Sequence, residues 1–114
     1  MPHGFAWSDI DPSWQGWDGE RFRELVTSHP LAELGFNQDL RGLEWADTCV
    51  LVLPCGRSAH LEAGWAAGKG KRLVVLLLGD LEPELMYRWA DSIVVSVREL
   101  VMVLSAPEFA EVER

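Results

Sequence analysis

The chain has 114 residues, of which 48% are hydrophobic and 25% charged, and this balance fits one globular domain rather than a disordered chain. The formal net charge of −8 argues against a nucleic-acid polymer as partner, because phosphate backbones are bound by clusters of Lys and Arg. A nucleoside, whose sugar and base carry no charge, stays compatible with this composition.

The first 18 residues are rich in Trp, Pro, Gly and Asp and show no sustained periodicity. We predict an irregular head that is ordered by contacts, because a solvated tail would not carry so many aromatic residues. The aromatic residues concerned are Phe5, Trp7, Trp14 and Trp17.

Two helices are predicted next. Asp18 is a suitable N-cap for a helix over residues 19–28, which His29 and Pro30 end. Asn37 is predicted to cap a second helix that runs to about residue 46.

From residue 48 onward, apolar runs of strand length alternate with helical segments. The predicted strands are 48–53, 72–78 and 92–97. Ser58 is the predicted N-cap of a helix through residue 67, Pro83 opens a short helix to about residue 90, and a closing helix covers 98–104. Strands joined by such helices form right-handed βαβ units, so we expect an α/β fold with a flavodoxin- or Rossmann-like three-layer parallel sheet.

The strand at 48–53 reads Thr-Cys-Val-Leu-Val-Leu, which is too apolar for an edge strand that faces solvent. We therefore expect either the N-terminal head or a second chain to lie beside it.

The candidate site follows this strand, because ligands of open α/β sheets bind outside the carboxyl ends of the strands. Gly56 lets the backbone approach a ligand, and the free N–H groups of the next helix favour anionic groups. Glu62 is predicted at about the fourth helical position, where the helix dipole keeps a carboxylate ionised, as a nucleophile requires.

The segment from Gly56 to Ala66, Gly-Arg-Ser-Ala-His-Leu-Glu-Ala-Gly-Trp-Ala, resembles the nucleoside 2-deoxyribosyltransferase-like family. Asp39, the run Glu-Trp-Ala-Asp at 44–47 and the run Glu-Pro-Glu-Leu-Met-Tyr at 82–87 are similar to the family as well. The resemblance covers roughly residues 35–100. The strand and helix with which the family begins are not in this sequence, so the expected sheet is a truncated one.

The resemblance implies N-glycosyl-bond chemistry on a nucleoside or nucleotide. Glu62 would attack C1′ and form a covalent glycosyl-enzyme, which water or a second base resolves with net retention. Asp39 is the candidate for the second carboxyl, and Asp47 is the reserve. The remaining candidates are substrate-binding residues: Gly56, Arg57, Ser58 and His60 at a sugar hydroxyl or 5′-phosphate, and Trp14 at the base.

Several alternatives stay open at this point. Asp39 and Asp47 also fit solvated helix ends, His60 fits a solvent-facing position, and Trp14 fits a packing role. Met86 and Tyr87 are weaker site candidates, and Cys55 is expected to be exposed without an adjacent base. Transfer, hydrolysis, ligand binding without catalysis and plain oligomer formation all remain possible functions.

The expected setting is the cytoplasm. The two cysteines suit neither a disulfide framework nor a zinc ribbon, and no apolar run approaches the roughly 18–20 residues of a membrane span. We expect no metal, no cofactor and no membrane partner, a nucleoside or nucleotide as ligand, and a homo-oligomer as the assembly.

Overall fold

The computed structural model describes residues 4–105 and divides the chain into two compact units, with the boundary between Glu44 and Trp45. The first unit is helical, and the second contains the sheet. A single domain is the expectation from the sequence, and it stays a prediction.

The head of the first unit forms two short 3-10 helices, Trp7–Asp9 and Trp14–Gly16, in place of an irregular loop. Trp7 lies edge-on to three other aromatic rings, with centroid distances of 4.7, 5.8 and 5.6 Å to Phe5, Trp17 and Phe22. Offset and edge-to-face rings attract each other beyond the area that they bury. The aromatic residues of the head therefore pack on one another and on the first helix.

Two α-helices complete the first unit. α1 spans Gly19–Ser28, and Asp18 accepts a hydrogen bond from the backbone N–H of Arg21 at 2.8 Å, which confirms both the predicted bounds and the predicted cap. α2 spans Pro30–Trp45 and begins seven residues before Asn37, so the prediction of Asn37 as its cap is wrong. Pro30 takes the first helical position, where its fixed φ and missing N–H fit the start of a helix.

Three parallel strands form the sheet of the second unit in the order β1-β2-β3. β1 spans Thr48–Leu53, β2 spans Arg72–Leu77 and β3 spans Ser92–Val94. The predicted α/β class and its parallel sheet are confirmed, and the arrangement is consistent with a Rossmann-like fold.

β3 ends three residues before its predicted end at 97, and the next helix, α4, spans Val97–Ser105 and so begins one residue before its predicted start. Ser96 Oγ accepts from Glu99 N, and the Glu99 carboxylate accepts from Val95 N at 2.8 Å. The two bonds resemble a capping box, except that Glu99 accepts from the residue before Ser96, and they start a helix at the point where the prediction continued the strand.

The helix between β1 and β2, α3, spans Arg57–Gly68 with Gly56 as its N-cap. Ser58 is thus the second residue of α3, and its prediction as the N-cap is wrong. The short helix after β2 is a 3-10 helix over Leu85–Trp89, so it begins two residues after Pro83, the predicted first residue. Glu84 is its N-cap and accepts from Met86 N.

The core of the second unit lies on both faces of the sheet. α3 covers the face that carries Leu51, Leu53, Leu73 and Val75, whereas α4 covers the face that carries Val74, Leu76 and Val94. The small residues Ala63 and Ala66 are buried on α3, so this helix packs closely on the strands.

β1 lies at an edge of the sheet and pairs with β2 alone; of the residues that the structure describes, none forms a strand on its outer side. Two glycines with left-handed backbone flank β2: Gly70 before it, with φ 79°, and Gly79 after it, with φ 71°. Both positions suit glycine because other L-residues rarely adopt positive φ.

Candidate functional site

A cavity of about 430 Å³ opens at the carboxyl ends of β1 and β2. The loop after β1, the first turn of α3, the loop after β2 and the 3-10 helix Leu85–Trp89 all contribute to it, as their chain positions require in a parallel sheet. Its lining comprises Leu53, Pro54, Cys55, His60, Asp80, Leu81, Glu82, Pro83, Glu84 and Tyr87.

His60 is held at this cavity by two hydrogen bonds. Its Nδ1 lies 2.8 Å from the carbonyl oxygen of Gly56, and its Nε2 lies 2.9 Å from the Tyr87 hydroxyl. A carbonyl can only accept, so we assign the ring proton to Nδ1, and Nε2 of the neutral ring then accepts from the Tyr87 hydroxyl. The two rings also stack, with centroids 5.8 Å apart and an interplanar angle of 21°.

Tyr87 remains a phenol in this arrangement. Partial burial raises the pKa of Tyr87 above its ordinary value of 10.0, and electrostatic interactions with Cys55, Glu84 and Glu82 raise it further. A protonated Tyr87 is the donor that His60 Nε2 requires.

Cys55 lies beside the same imidazole, with Sγ 3.8 Å from His60 Nδ1. Cys55 is exposed, as predicted, and the first turn of α3 brings the His60 imidazole back toward the loop, where no base was expected. In the assigned tautomer, however, Nδ1 carries a proton directed to Gly56, so this nitrogen offers the thiol no lone pair. The geometry is not that of a thiol with its general base.

Carboxylates dominate the charge of the cavity. Asp80, Glu82 and Glu84 line it, and none of its described lining residues is a Lys or Arg. This composition opposes a phosphate group and favours a neutral or positively charged one.

A second cavity of about 300 Å³ lies against the α3 face of the sheet and has a more apolar lining. His60, Glu84 and Tyr87 line both cavities. The remaining lining residues are Leu51, Ala63, Gly64, Leu73, Val75, Met86 and Trp89.

Glu62 lines neither of these two cavities. It is the sixth residue of α3 instead of about the fourth, roughly 7.5 Å along the axis from Arg57, and the dipole effect fades within the first turn. Two residues turn a helix by roughly 200°, so Glu62 and His60 lie on opposite flanks of α3.

The Glu62 side chain is half-buried on the flank of α3 away from Tyr87. It lies close enough to β1 to act on Cys49, whose pKa is raised first by burial and then by the Glu62 charge. Glu62 is therefore associated with the β1 side of α3 rather than with the cavity at Tyr87.

The other predicted site residues fall in three places. Gly56, Arg57 and Ser58 form the start of α3, where the last two are exposed. Asp47 is exposed and precedes β1, so the length of a strand, about 20 Å, separates it from that start. Asp39 and Trp14 belong to the first unit, on α2 and on the second 3-10 helix, and both are exposed.

No family model, no curated protein and no solved structure matches this chain.

Within residues 4–105, none of the helices has the length and apolar character needed to cross a membrane. The same residues bring together no group of three or more His, Cys, Asp or Glu side chains suited to holding a metal ion.

Tyr87 is only a weaker site candidate in the sequence, and the acidic residues of the loop after β2 were not predicted. Tyr87 is the hydrogen-bond partner of His60, and the acidic residues of 80–84 face the same cavity. The signal that would have identified them is positional, because loops after adjacent parallel strands meet at one edge of the sheet.

Proposed function

We propose that this chain performs N-glycosyl-bond chemistry on a nucleoside or nucleotide with Glu62 as the nucleophile. The resemblance of residues 56–66 to nucleoside 2-deoxyribosyltransferase-like proteins suggests the reaction. The observation that carries the proposal is that Glu62 is half-buried on α3, the helix directly after β1, which packs on the sheet through the small residues Ala63 and Ala66.

The proposed reaction has two displacements. A Glu62 oxygen bonds to C1′ while the bond from C1′ to the base nitrogen breaks, and the base leaves with the electron pair and takes a proton from a general acid. Water or a second base then bonds to C1′ and gives up a proton, and the bond between C1′ and Glu62 breaks to restore the carboxylate. The role of the second carboxyl remains a prediction for Asp39, with Asp47 as the reserve.

In this proposal the sheet is a truncated flavodoxin-like one, and the substrate lies on the β1 side of α3. The unpaired edge of β1 supports it, because a further strand there would supply a wall beside Glu62. A homo-oligomer is one source of such a wall.

The test is release of free base from the four 2′-deoxynucleosides and their 5′-monophosphates, followed by chromatography. We expect release by the unmodified chain and a loss of at least about a thousandfold in both Glu62→Gln and Glu62→Ala. Glu33→Gln, an exposed carboxylate of α2, is the matched control and should retain full activity. Release that persists in Glu62→Ala, or none with any substrate, contradicts the proposal.

The second candidate is a protein that binds a nucleoside without cleaving it. The position of Glu62 on the second turn of α3 favours it, because a carboxylate there gains little from the helix dipole. A melting temperature that rises with a nucleoside, without any release of base, would support this candidate instead.

A further inference from the structure

The His60–Tyr87 pair stands between two cavities that differ in chemistry. Both cavities are lined by His60, Glu84 and Tyr87, so the two spaces adjoin at one hydrogen-bonded pair of rings. Because Glu62 lines neither of them, this site is separate from the proposed nucleophile and does not rest on the proposed function.

The second cavity, of about 300 Å³ against the α3 face of the sheet, is called the inner cavity below, and it suits a flat apolar group. Leu51, Leu73 and Val75 of the sheet line it, together with Trp89, which is 62% exposed although it is a large aromatic side chain. Gly64 of α3 also lines it, and a Cβ added there would meet nothing within 4 Å. A ring that enters this space would cover exposed apolar surface, chiefly that of Trp89 and Met86, because Leu51, Leu73 and Val75 are already buried.

The cavity of about 430 Å³ at the carboxyl ends of β1 and β2 is called the outer cavity below, and it suits a positive charge. Asp80, Glu82 and Glu84 provide three carboxylates on its lining, against no Lys or Arg among the described lining residues. Burial, Cys55, Glu84 and Glu82, in that order, raise the pKa of Tyr87, so the two carboxylates do act on the ring shared by the two cavities. A cation placed there would also meet an aromatic ring, which attracts cations.

We infer that the two cavities form one binding site for a small aromatic amine, with the ring in the inner cavity and the protonated amine in the outer one. Each cavity has the size found in small-molecule sites, which combine an apolar lining with a few polar groups. Charge complementarity selects the cation: a neutral analogue keeps the ring contact alone, and an anionic analogue meets the three carboxylates.

Isothermal titration of the full chain with three probes of similar shape tests this inference. Tryptamine carries the amine, tryptophol replaces it with a hydroxyl, and indole-3-propionate replaces it with a carboxylate. We expect tryptamine to bind roughly tenfold more tightly than tryptophol, and indole-3-propionate to bind most weakly.

Two variants locate the two halves of the site. Gly64→Leu fills the inner cavity and should reduce tryptamine affinity at least tenfold, whereas Gly68→Leu makes the same change at an exposed position of α3 and should leave the affinity unchanged. The double variant Asp80→Asn with Glu82→Gln should reduce the preference for tryptamine over tryptophol several-fold, because exposed charge pairs each contribute modestly.

Three results would overturn the inference. They are equal affinities for tryptamine and tryptophol, a tryptamine affinity that Gly64→Leu leaves unchanged, and the absence of any binding up to about 1 mM tryptamine. Both Gly→Leu variants replace a helical glycine with a better helix former, so both should stay folded. Gly68→Leu therefore serves as a folded control for the titration of Gly64→Leu.

Discussion

The two units of this chain are stabilised in different ways. The sheet unit has a core in which Val74 and Val75 are fully buried between two helices. The described part of the first unit buries only Leu25, Ala32 and Gly35 below the surface. It relies on edge-to-face aromatic contacts and on hydrogen bonds to polar side chains near its surface.

This difference shows which part of the chain depends on buried area and which depends on specific geometry. Removing methyl groups from the sheet core should lower the free energy of unfolding strongly, because the lost contacts are fully buried. In the first unit, stability should depend more on the shape and charge of single contacts than on the amount of apolar surface that is buried.

The largest effect is expected at Leu51 in β1. Leu51→Ala should lower the free energy of unfolding by about 2–5 kcal/mol, because its side chain is 4% exposed and packs in the core under α3. The neighbouring Val52→Ala is the control: this side chain is 45% exposed on the other face, and its change should cost about 0.5 kcal/mol. Denaturant unfolding measures both, and equal losses would contradict the assigned faces of β1.

A smaller effect is expected at Gly35 in α2, where the substitution adds a side-chain atom instead of removing some. A Cβ at Gly35 would lie 2.8 Å from Phe5 Cδ1 and 3.0 Å from Phe5 Cβ, so Gly35→Ala should destabilise the chain by about 1–3 kcal/mol. Gly42→Ala, on the same helix with nothing within 4 Å, should stabilise it by up to about 1 kcal/mol. If both substitutions stabilise the chain, then Phe5 does not pack against α2 as described.

The smallest effect concerns pH and Asp11. The Asp11 carboxylate accepts from Trp17 Nε1 and from Ser13 N, each at 2.8 Å, and these bonds hold the pKa of Asp11 below its ordinary value of 3.8. The folded pKa is depressed, so the ionised group contributes stability at pH above 3.8, and this contribution is lost as the pH falls through the lower folded value.

Between about pH 6 and pH 2, the melting temperature of the unmodified chain should therefore fall more steeply than that of Asp11→Asn. The indole N–H resonance of Trp17 should shift over the same acidic range, since its acceptor gains a proton there. If the melting temperatures of the unmodified chain and of Asp11→Asn fall equally with pH, then the Asp11 carboxylate does not stabilise the chain through its hydrogen bond with Trp17.

Much of the fold could be predicted from the sequence because it depends on short-range signals. α1, with its Asp18 cap, and β1 match their predicted bounds, since a cap and an apolar run are local features. The errors lie where two local signals compete. Pro30 as a helix start and the Ser96–Glu99 capping box were both present in the sequence, but they were outweighed by Asn37 and by the apolar run after Ser92.

The candidate site could be predicted less well. The location at the end of β1 followed from topology, and Gly56 and His60 do meet there through a hydrogen bond. The partnership of His60 with Tyr87 spans 27 residues and depends on how the loop after β2 folds, which no local pattern encodes. The error of two positions in the first residue of α3 placed Glu62 in the first turn, whereas it lies in the second turn. Its place on the opposite flank from His60 follows from their two-residue spacing in any helix.

The two glycines with left-handed backbone that flank β2 determine which substitutions the loops before and after this strand can accept. The space around Gly70 and Gly79 is open, so side-chain volume imposes no limit at either position. The limit comes from the backbone alone, with φ values of 79° and 71°. In a library of variants these two sites would rank residues by how readily they adopt positive φ, with Asn and Asp above Ala and Val as the poorest, whatever their size.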